Sequence, residues 1–200
     1  MRVVLVSQRV DVLADRGERR DALDQRLMAW LVSNELLPVP VPNLPEQVSA
    51  LWTRLNPAGV VLSGGNDLAE YGGNAPERDA VERALLAHAI ADGVPLFALC
   101  RGAQLLLDAF GNRLERVNGH VGTRHRLQID RVEADVNSYH QWGCRSLVAP
   151  LEALARADDG VIEAFIHPQL PLLGVMWHPE REMPFAELDG LLLKRCLNKE

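Results

Sequence analysis

The 200-residue sequence lacks the features of several large protein classes. Its three cysteines are an odd number and are widely spaced, which excludes a disulfide framework and fits a reducing compartment. A net charge of −6 provides no basic excess for nucleic acid or an anionic membrane surface. The apolar runs are too short to span a bilayer, and a strand-like run at residues 3–6 predicts no signal peptide. We therefore expect a cytoplasmic protein with neither nucleic acid nor membrane as a partner.

The sequence also lacks linkers, charge blocks, repeats and low-complexity tracts, so we expect one domain over residues 1–200. In the first half, short apolar runs alternate with longer helical patterns. The predicted strands are 3–6, 37–42, 59–62 and 96–99, and the predicted helices are 21–35, 45–55 and 76–92. Such alternation predicts an α/β fold with a central, mostly parallel sheet flanked by helices in three layers. The prolines of 37–42 place that strand at an edge.

The second half has a different pattern. Residues 126–132, 161–166 and 172–177 read as strands without a full helix between them, which predicts mixed or antiparallel pairing. An amphipathic segment at 184–197 is expected to cap the sheet.

Cys100 stands where a strand-length apolar run stops and a helical pattern begins. A tight turn there would place the thiol at a helix N-terminus, whose partial positive charge favours a thiolate nucleophile. Gly102 would permit the close approach that such an elbow needs. The alternative is that Cys100 is a small buried hydrophobe at a strand end.

A cysteine nucleophile needs a base, and the base needs a group that orients it. His178 ends a predicted strand, and Glu180 follows two residues later on the same face of an extended segment. Pro179 favours that extended conformation at His178. Taken alone, this segment is more readily interpreted as a surface His-Pro-Glu turn, but together with Cys100 it completes one mechanism.

An oxyanion hole requires backbone N–H groups that face the developing negative charge. Gly64 and Gly65 follow a predicted strand and can turn their amides towards a substrate. The amide of Arg101, directly after the nucleophile, is the expected second donor. We therefore assign the oxyanion hole to Gly65 and Arg101.

These motifs, in this order, resemble the class I glutamine amidotransferase superfamily, whose fold is flavodoxin-like. The resemblance rests on the Gly-Gly loop, the Cys-Arg-Gly-Ala-Gln elbow at 100–104, Asn137-Ser138-Tyr139-His140 and the terminal His-Pro-Glu. Arg101, the helix start at 78–82 and Asn137-Ser138 look like the peptidase C26 branch of γ-glutamyl hydrolases. The resemblance implies a Cys100, His178 and Glu180 triad that releases glutamate and an amine.

The resemblance also implies which residues bind substrate. Gln104 and the backbone around Ser138 and Tyr139 would hold the glutamyl group, and His140 would form part of the wall. The remaining expected contacts are Gly64, Asn66 and Asn137.

A narrower resemblance, carried by residues 7–11, 20–25, 62–67 and 136–140, is to γ-glutamyl-CDP-amidate hydrolases of surface-polysaccharide phosphoramidate synthesis. Their leaving group contains phosphates, which suit planar guanidinium groups. Arg9, Arg20, Arg101 and Arg124 are the candidates, although arginines are more often solvated or in structural ion pairs. Two positions depart from the usual pattern: Asn112 replaces a glycine and loosens the resemblance beyond the elbow helix, and Trp142-Gly143 indicates a different leaving-group pocket.

Other functions stay open. The chain could be a glutaminase subunit that supplies ammonia to a synthase partner, a non-catalytic binding module, or another type of cysteine hydrolase on a similar sheet. A homodimer is compatible with the sequence.

No cofactor is expected, and neither is a metal. His120 and His125 could form a metal pair, but their five-residue spacing suits neither a helix face nor a strand face, and no third ligand accompanies them in sequence. His88 and His167 are expected to be structural, and Cys144 and Cys196 to be inert.

Overall fold

A computed structural model describes residues 1–198. Within this range the strands are β1 (Arg2–Ser7), β2 (Arg9–Leu13), β3 (Glu18–Ala22), β4 (Leu36–Val41), β5 (Gly59–Leu62), β6 (Leu96–Leu99), β7 (Glu115–Arg116), β8 (Val121–Ile129), β9 (Val132–Tyr139), β10 (Trp142–Gly143), β11 (Glu152–Arg156), β12 (Ile162–Ile166) and β13 (Leu172–Val175). The α-helices are α1 (Gln25–Ser33), α2 (Val48–Leu55), α3 (Pro76–Asp92), α4 (Arg101–Ala109) and α5 (Glu187–Leu197). Over the range described, none of these helices has the length and apolar character needed to cross a membrane.

A seven-stranded sheet forms the centre of the molecule, in the order β11-β12-β13-β6-β5-β1-β4. The pairs from β13 to β4 are parallel, and β11, β12 and β13 pair antiparallel. This topology confirms the predicted α/β fold with a mostly parallel sheet and an antiparallel second half. The proline-containing β4 lies at the edge, as predicted from its missing N–H donors.

The core has two halves, one on each face of the sheet. On one face, Leu85 of α3 and Leu106 of α4 pack with Leu62 of β5. On the other face, Trp30 of α1 and Leu193 of α5 belong to the cluster that contains Phe97 of β6. Because β5 and β6 are covered on both faces, their side chains are apolar throughout instead of alternating.

A β-hairpin precedes α1, where the sequence predicted that a helix begins at residue 21. Asp21 and Ala22 belong to β3, which pairs antiparallel with β2. The helix begins only at Gln25, because the Asp24 side chain accepts a hydrogen bond from the Arg26 amide as an N-cap. The predicted helix start is therefore wrong by four residues.

A second hairpin replaces the single strand predicted at residues 126–132. β8 ends at Ile129, the chain reverses through Asp130 and Arg131, and β9 begins at Val132. Both turn residues have positive φ, at 56° and 112°. Neither is glycine, so the sequence carried no strong turn signal at this point.

The carboxyl ends of four neighbouring strands gather the polar residues of the molecule at one edge of the sheet. Ser7 ends β1, Ser63 follows β5, Cys100 follows β6, and His178 lies three residues beyond β13. These strands are adjacent in the order β13-β6-β5-β1. Ligands of open α/β sheets bind at this edge.

The close packing of α4 on β5 depends on Gly102. A Cβ at this position would lie 2.4 Å from the Leu62 carbonyl oxygen and 2.6 Å from its Cβ, so backbone would have to move. We expect Gly102→Ala to lower the free energy of unfolding by about 2 kcal/mol or more, since overpacking typically costs 1–3 kcal/mol. Urea denaturation measures the effect.

Gly190→Ala in α5 is the matched control. Its Cβ would meet only the end of the Asn34 side chain, at 3.0 Å. Replacing glycine within a helix by alanine gains up to about 1 kcal/mol. Equal effects of the two substitutions would contradict this account of Gly102.

Candidate active site

Cys100 occupies a strained turn between β6 and α4. Its φ and ψ are 46° and −106°, a conformation that side-chain-bearing residues rarely adopt. The turn is held on both sides: the Cys100 amide donates to the Val175 carbonyl at 2.8 Å, and the Gln104 amide donates to the Cys100 carbonyl at 2.9 Å. The geometry is that of a nucleophile elbow, as the sequence predicted.

His178 connects Cys100 to a carboxylate. Its Nδ1 lies 2.7 Å from Glu180 Oε1, and the imidazole is close enough to Cys100 to interact with it electrostatically. Burial disfavours a charged imidazole, but the negative charges and hydrogen bonds of Cys100 and Glu180 outweigh it and raise the pKa of His178 to about 9. A base placed between a thiol and a carboxylate can accept the thiol proton and be stabilised once it carries the positive charge.

Glu180 reaches the imidazole by a route that differs from the one predicted. His178 is extended, with φ −117° and ψ 90°, but residues 179–181 form a single 3₁₀ turn that begins at Pro179. The turn, instead of an extended strand face, brings Glu180 back to the ring. The pairing predicted for the two side chains is thus obtained through a different local backbone.

Asn137 fixes the backbone of His178. Its Oδ1 accepts a hydrogen bond from the His178 amide at 3.0 Å. Its Nδ2 donates hydrogen bonds to the His178 carbonyl at 2.9 Å and to Glu182 Oε1 at 2.7 Å. The side chain is buried and its polar atoms are already engaged. The expectation that Asn137 binds substrate is therefore wrong; it positions the base.

The glycine loop after β5 packs directly against the triad. A Cβ on Gly64 would lie 2.6 Å from His178 Cε1 and 3.6 Å from Cys100 Cβ, so only glycine fits between them. Gly65 has a φ of 85°, which its lack of a side chain allows. This places the expected oxyanion loop beside the nucleophile.

A buried guanidinium holds the carbonyl side of this loop. Arg78 donates to the carbonyl oxygens of Ser63, Gly64 and Gly65 and to the carboxylate of Glu82. Burial and the charge of Arg9 lower the pKa of Arg78 to about 9, so it stays protonated at neutral pH. With the carbonyls engaged on this side, the loop is held in a single conformation.

Arg101 contributes to the site through its backbone. It is the first residue of α4, where the amide has no acceptor within the helix and is available to a ligand. Its guanidinium is buried and paired with Glu82 and Asp79 of α3. The hypothesis that this side chain binds phosphate is therefore wrong, because its charge is already neutralised.

Two cavities meet at the triad. The thiol cavity, about 350 Å³, is bordered by Cys100, Gln104, Tyr139 and His140. The hairpin cavity, about 310 Å³, lies towards the β2–β3 hairpin and Gly64. Gly65, His178 and Arg181 border both cavities. A substrate whose scissile bond lies at Cys100 has room on either side.

The expected substrate-binding residues divide into two groups. Gln104, Tyr139 and His140 border the thiol cavity. Ser138 does not present its side chain there: it is fully buried, and its Oγ donates to the His120 carbonyl. The expected contact was with the backbone around Ser138 and Tyr139, and it stays a prediction.

Asn66 also borders the thiol cavity, but its side-chain atoms serve the loop. Its Nδ2 donates to the Val10 carbonyl, and its Oδ1 accepts from the Val10 amide and from Arg78. The side chain therefore joins β2 to the glycine loop instead of binding substrate.

Of the candidate phosphate ligands, Arg9 borders the hairpin cavity, where it packs against Gly65 and pairs with Asp11. Arg20 pairs with Glu18 on the exposed side of the hairpin. Arg124 pairs with Asp135 and Glu182. Among the residues described, neither Arg20 nor Arg124 borders either cavity, so the structure does not support those two candidates.

Arg181 was missed by the sequence analysis. It borders both cavities, and its guanidinium lies 4.4 Å from the centre of the Tyr139 ring, a cation–π contact. Arg181 directly follows the His-Pro-Glu motif, and this position could have identified it. The 3₁₀ turn that brings Glu180 back to the imidazole also places Arg181 at the cavities.

Glu180→Gln removes the carboxylate that stabilises protonated His178. We expect the pKa of His178 to fall from about 9 towards its ordinary value, because the neutral amide attracts the imidazolium less. An NMR titration of the imidazole protons measures this shift. Glu187→Gln, on the exposed first turn of α5, is the control and leaves the pKa unchanged. An unaltered His178 pKa in Glu180→Gln would contradict the assigned pair.

Arg78→Met removes one of the two positive charges that neutralise the buried Glu82 carboxylate. It also removes the hydrogen bonds to the carbonyl oxygens of the glycine loop. We expect a loss of about 3–5 kcal/mol in the free energy of unfolding, the usual cost of breaking a buried ion pair. Arg83→Met, on the same helix, removes an exposed pair with Asp108 and should cost less than about 1 kcal/mol. Urea denaturation of both variants measures the difference, and similar losses would contradict the role of Arg78.

Comparison with known proteins agrees with this geometry. A γ-glutamyl-CDP-amidate hydrolase from Campylobacter jejuni is 35% identical over 125 residues, which span 62% of this chain and 62% of that protein. A γ-glutamyl-γ-aminobutyrate hydrolase from Escherichia coli O157:H7 is 28% identical over 221 aligned residues, covering 90% of this chain and 86% of that protein.

The fold has counterparts among solved structures. A glutamine amidotransferase from Thermotoga maritima superimposes with a TM-score of 0.72 at 14% identity, with 98% of each chain covered. At this identity the likeness establishes the fold alone. The sequence profile of the Peptidase C26 family matches residues 4–180. The chain is a member of the Peptidase C26 family.

Proposed function

We propose that this chain hydrolyses γ-glutamyl amides through a thioester on Cys100. The observation that carries the proposal is the set of groups at the sheet edge. A thiol on a strained elbow borders the same cavity as His178, whose Nδ1 lies 2.7 Å from Glu180 Oε1. Membership of the Peptidase C26 family and relatives named as γ-glutamyl hydrolases support the same reaction.

In the first half of the reaction, Cys100 Sγ attacks the γ-carbonyl carbon of the substrate. His178, whose pKa of about 9 keeps it protonated at neutral pH, already holds the proton taken from the thiol. The carbonyl oxygen takes up negative charge, which the amides of Gly65 and Arg101 stabilise. When the C–N bond breaks, His178 returns the proton to the departing nitrogen. The products are a free amine and a γ-glutamyl thioester.

In the second half, His178 removes a proton from water as the water oxygen attacks the thioester carbon. The C–S bond breaks, the proton returns to the sulfur, and glutamate is released. Glu180 holds the imidazole orientation through both steps and stabilises its positive charge. No further reactant is needed.

The thiol cavity is the proposed glutamyl site. A glutamyl group carries one ammonium and one carboxylate, and this cavity offers polar partners on several sides, including Gln104 and Arg181. Gln104 donates to the Trp142 carbonyl at 3.0 Å, which fixes the orientation of its amide. Tyr139 closes the cavity near His178, with the two rings 5.9 Å apart.

The hairpin cavity is the proposed leaving-group site, and we infer that a nucleoside diphosphate amidate fits it best. Arg9 and Arg181 both border it. A guanidinium group can bind two phosphate oxygens at once through two parallel hydrogen bonds. The Campylobacter jejuni relative is named for such a leaving group. In this proposal residues 1–200 act as one domain, without a synthase partner.

The test compares three substrates: γ-glutamyl-CDP-amidate, γ-glutamyl-γ-aminobutyrate and glutamine. We expect the highest kcat/KM for the CDP-amidate and at least a 1,000-fold loss in Cys100→Ser, roughly the effect of removing a hydrolase nucleophile. Glutamate release is measured directly. Turnover of Cys100→Ser at the wild-type rate would overturn the hydrolase proposal, and a preference for glutamine would favour an ammonia-supplying glutaminase.

Arg9→Gln tests the leaving-group site separately. We expect its KM for the CDP-amidate to rise about 10-fold, since a hydrogen bond to a charged group contributes about 1.5 kcal/mol or more. Its kinetics with glutamine should not change, because ammonia does not reach Arg9. Arg20→Gln on the same hairpin is the control and should affect neither substrate. Equal effects of Arg9→Gln on both substrates would contradict the assignment.

A further inference from the structure

A cluster of three histidines and one glutamate lies behind the wall of the thiol cavity. His120 Nδ1 is 3.0 Å from Glu163 Oε1, and His140 Nε2 is 3.4 Å from the same oxygen. A nitrogen of His120, a nitrogen of His125 and an oxygen of Glu163 all lie within 4.8 Å of one another. The third ligand, missing from the sequence around the histidine pair, is thus supplied by β12.

A β-bulge brings the two histidines of the pair together. Val121 pairs with Tyr139, but Thr123 pairs with Ser138, so β8 has one residue more than β9 at this point. The extra residue, Gly122, has a φ of 67°. An inserted residue reverses the alternation of side chains, so residues five apart face the same side. The spacing argument against a metal pair therefore fails here.

His140 and His120 each use one ring nitrogen for a contact outside the cluster, so the other ring nitrogen faces Glu163. His140 Nδ1 lies 3.0 Å from the Trp142 carbonyl, which can only accept, so Nε2 of the neutral ring carries the lone pair. His120 Nε2 lies 3.2 Å from Asp159 Oδ2, which places the lone pair of its neutral ring on Nδ1. Carboxylates and backbone carbonyls orient metal-binding histidines in this way.

The inward-facing atoms lack hydrogen-bond partners within the part of the chain described. His120 Nδ1, His125 Nε2, His140 Nε2 and both oxygens of Glu163 are buried without a hydrogen bond of acceptable geometry. His120, His140 and Glu163 are themselves almost completely buried. Glu163 Oε1 is close to His120 and His140, but His125 Nε2 and Glu163 Oε2 have no such contact. Leaving a buried polar atom unsatisfied costs about 1–3 kcal/mol, so the cluster favours a ligand that engages these atoms.

We propose that this cluster binds one divalent transition-metal ion of the zinc type. His120, His125 and Glu163 supply three ligands. His140, whose Nε2 lies 3.4 Å from Glu163 Oε1, supplies the fourth. Four protein ligands close the coordination shell, as in structural zinc sites, although those sites more often contain cysteine. Imidazole and carboxylate ligands suit Zn²⁺, whereas Mg²⁺ and Ca²⁺ prefer oxygen ligands alone. Tetrahedral ligands at about 2.1 Å from zinc are roughly 3.4 Å apart. The atoms of His120, His125 and Glu163 lie within 4.8 Å of one another, so these side chains must move closer together to bind the ion.

The ion joins the β8–β9 hairpin to the central sheet, because Glu163 lies on β12. It sits behind the substrate wall: His140 also borders the thiol cavity, and its amide donates to the His120 carbonyl at 2.9 Å. The ion takes no part in the reaction at Cys100. Its effect is on the stability of the hairpin and the position of the wall, and the proposal does not depend on the reaction proposed above.

The test uses the full chain, treated with a chelator and then titrated with Zn²⁺ or Co²⁺. A Cys100→Ser background removes the thiol as a competing ligand. We expect one equivalent of tightly bound metal by elemental analysis, intense visible absorption of the Co²⁺ form from tetrahedral coordination, and a higher Tm with Zn²⁺. Absence of stoichiometric binding would overturn the proposal and leave a cluster held by shared protons.

Two variants locate the ion. His125→Gln removes a half-buried ligand and should lose the bound equivalent and the absorption without unfolding the protein, and Glu163→Gln should do the same. His88→Gln is the control. His88 lies outside the cluster, where its ring stacks on Trp52 and its Nε2 is hydrogen-bonded to Ser49 Oγ. Metal binding that survives in His125→Gln, or that is lost equally in His88→Gln, would place the ion elsewhere and overturn the proposal.

Discussion

The strained backbone of Cys100 is the constraint on which the rest of the site depends. A residue at φ 46° keeps that conformation only if the structure on both sides prevents its relaxation. β6 and β13 hold one side, and α4, packed against β5 through Gly102, holds the other. The elbow presents the thiol above the sheet, where the other strand ends supply the remaining groups.

The first turns of α3 connect both halves of the expected oxyanion hole. Glu82 accepts from Arg78, which holds the glycine loop, and from Arg101, which begins α4 directly after the nucleophile. Asp79 also pairs with Arg101. A buried carboxylate shared by two guanidinium groups thus connects the two segments that carry the expected amide donors. The arginine beside the nucleophile is a structural anchor, and the function proposed above assigns the contact with a charged leaving group to Arg9 at the hairpin.

Much of the fold, and the approach of His178 to Glu180 beside Cys100, could be predicted, because local signals there agree with tertiary packing. The helix over residues 76–92 has the bounds expected from its N-terminal proline and the glycine that follows it. Features that depend on contacts distant in sequence were missed. The β2–β3 hairpin, the clamp of Asn137 on the His178 backbone and the approach of Glu163 to His120 all arise from such contacts. The β-bulge at Gly122 also changes the alternation of side chains in β8. The five-residue spacing of His120 and His125 would separate them in a regular strand, but it does not in this one.

The central claim is that Cys100 carries a glutamyl group during turnover. The direct measurement is peptide mass spectrometry of enzyme quenched with acid during its first turnover of an isotope-labelled γ-glutamyl amide. The account predicts that the labelled γ-glutamyl group is attached to the peptide containing Cys100, and that it disappears as labelled glutamate is released. Release of glutamate with no labelled peptide, or with the label on a peptide that lacks Cys100, would contradict it.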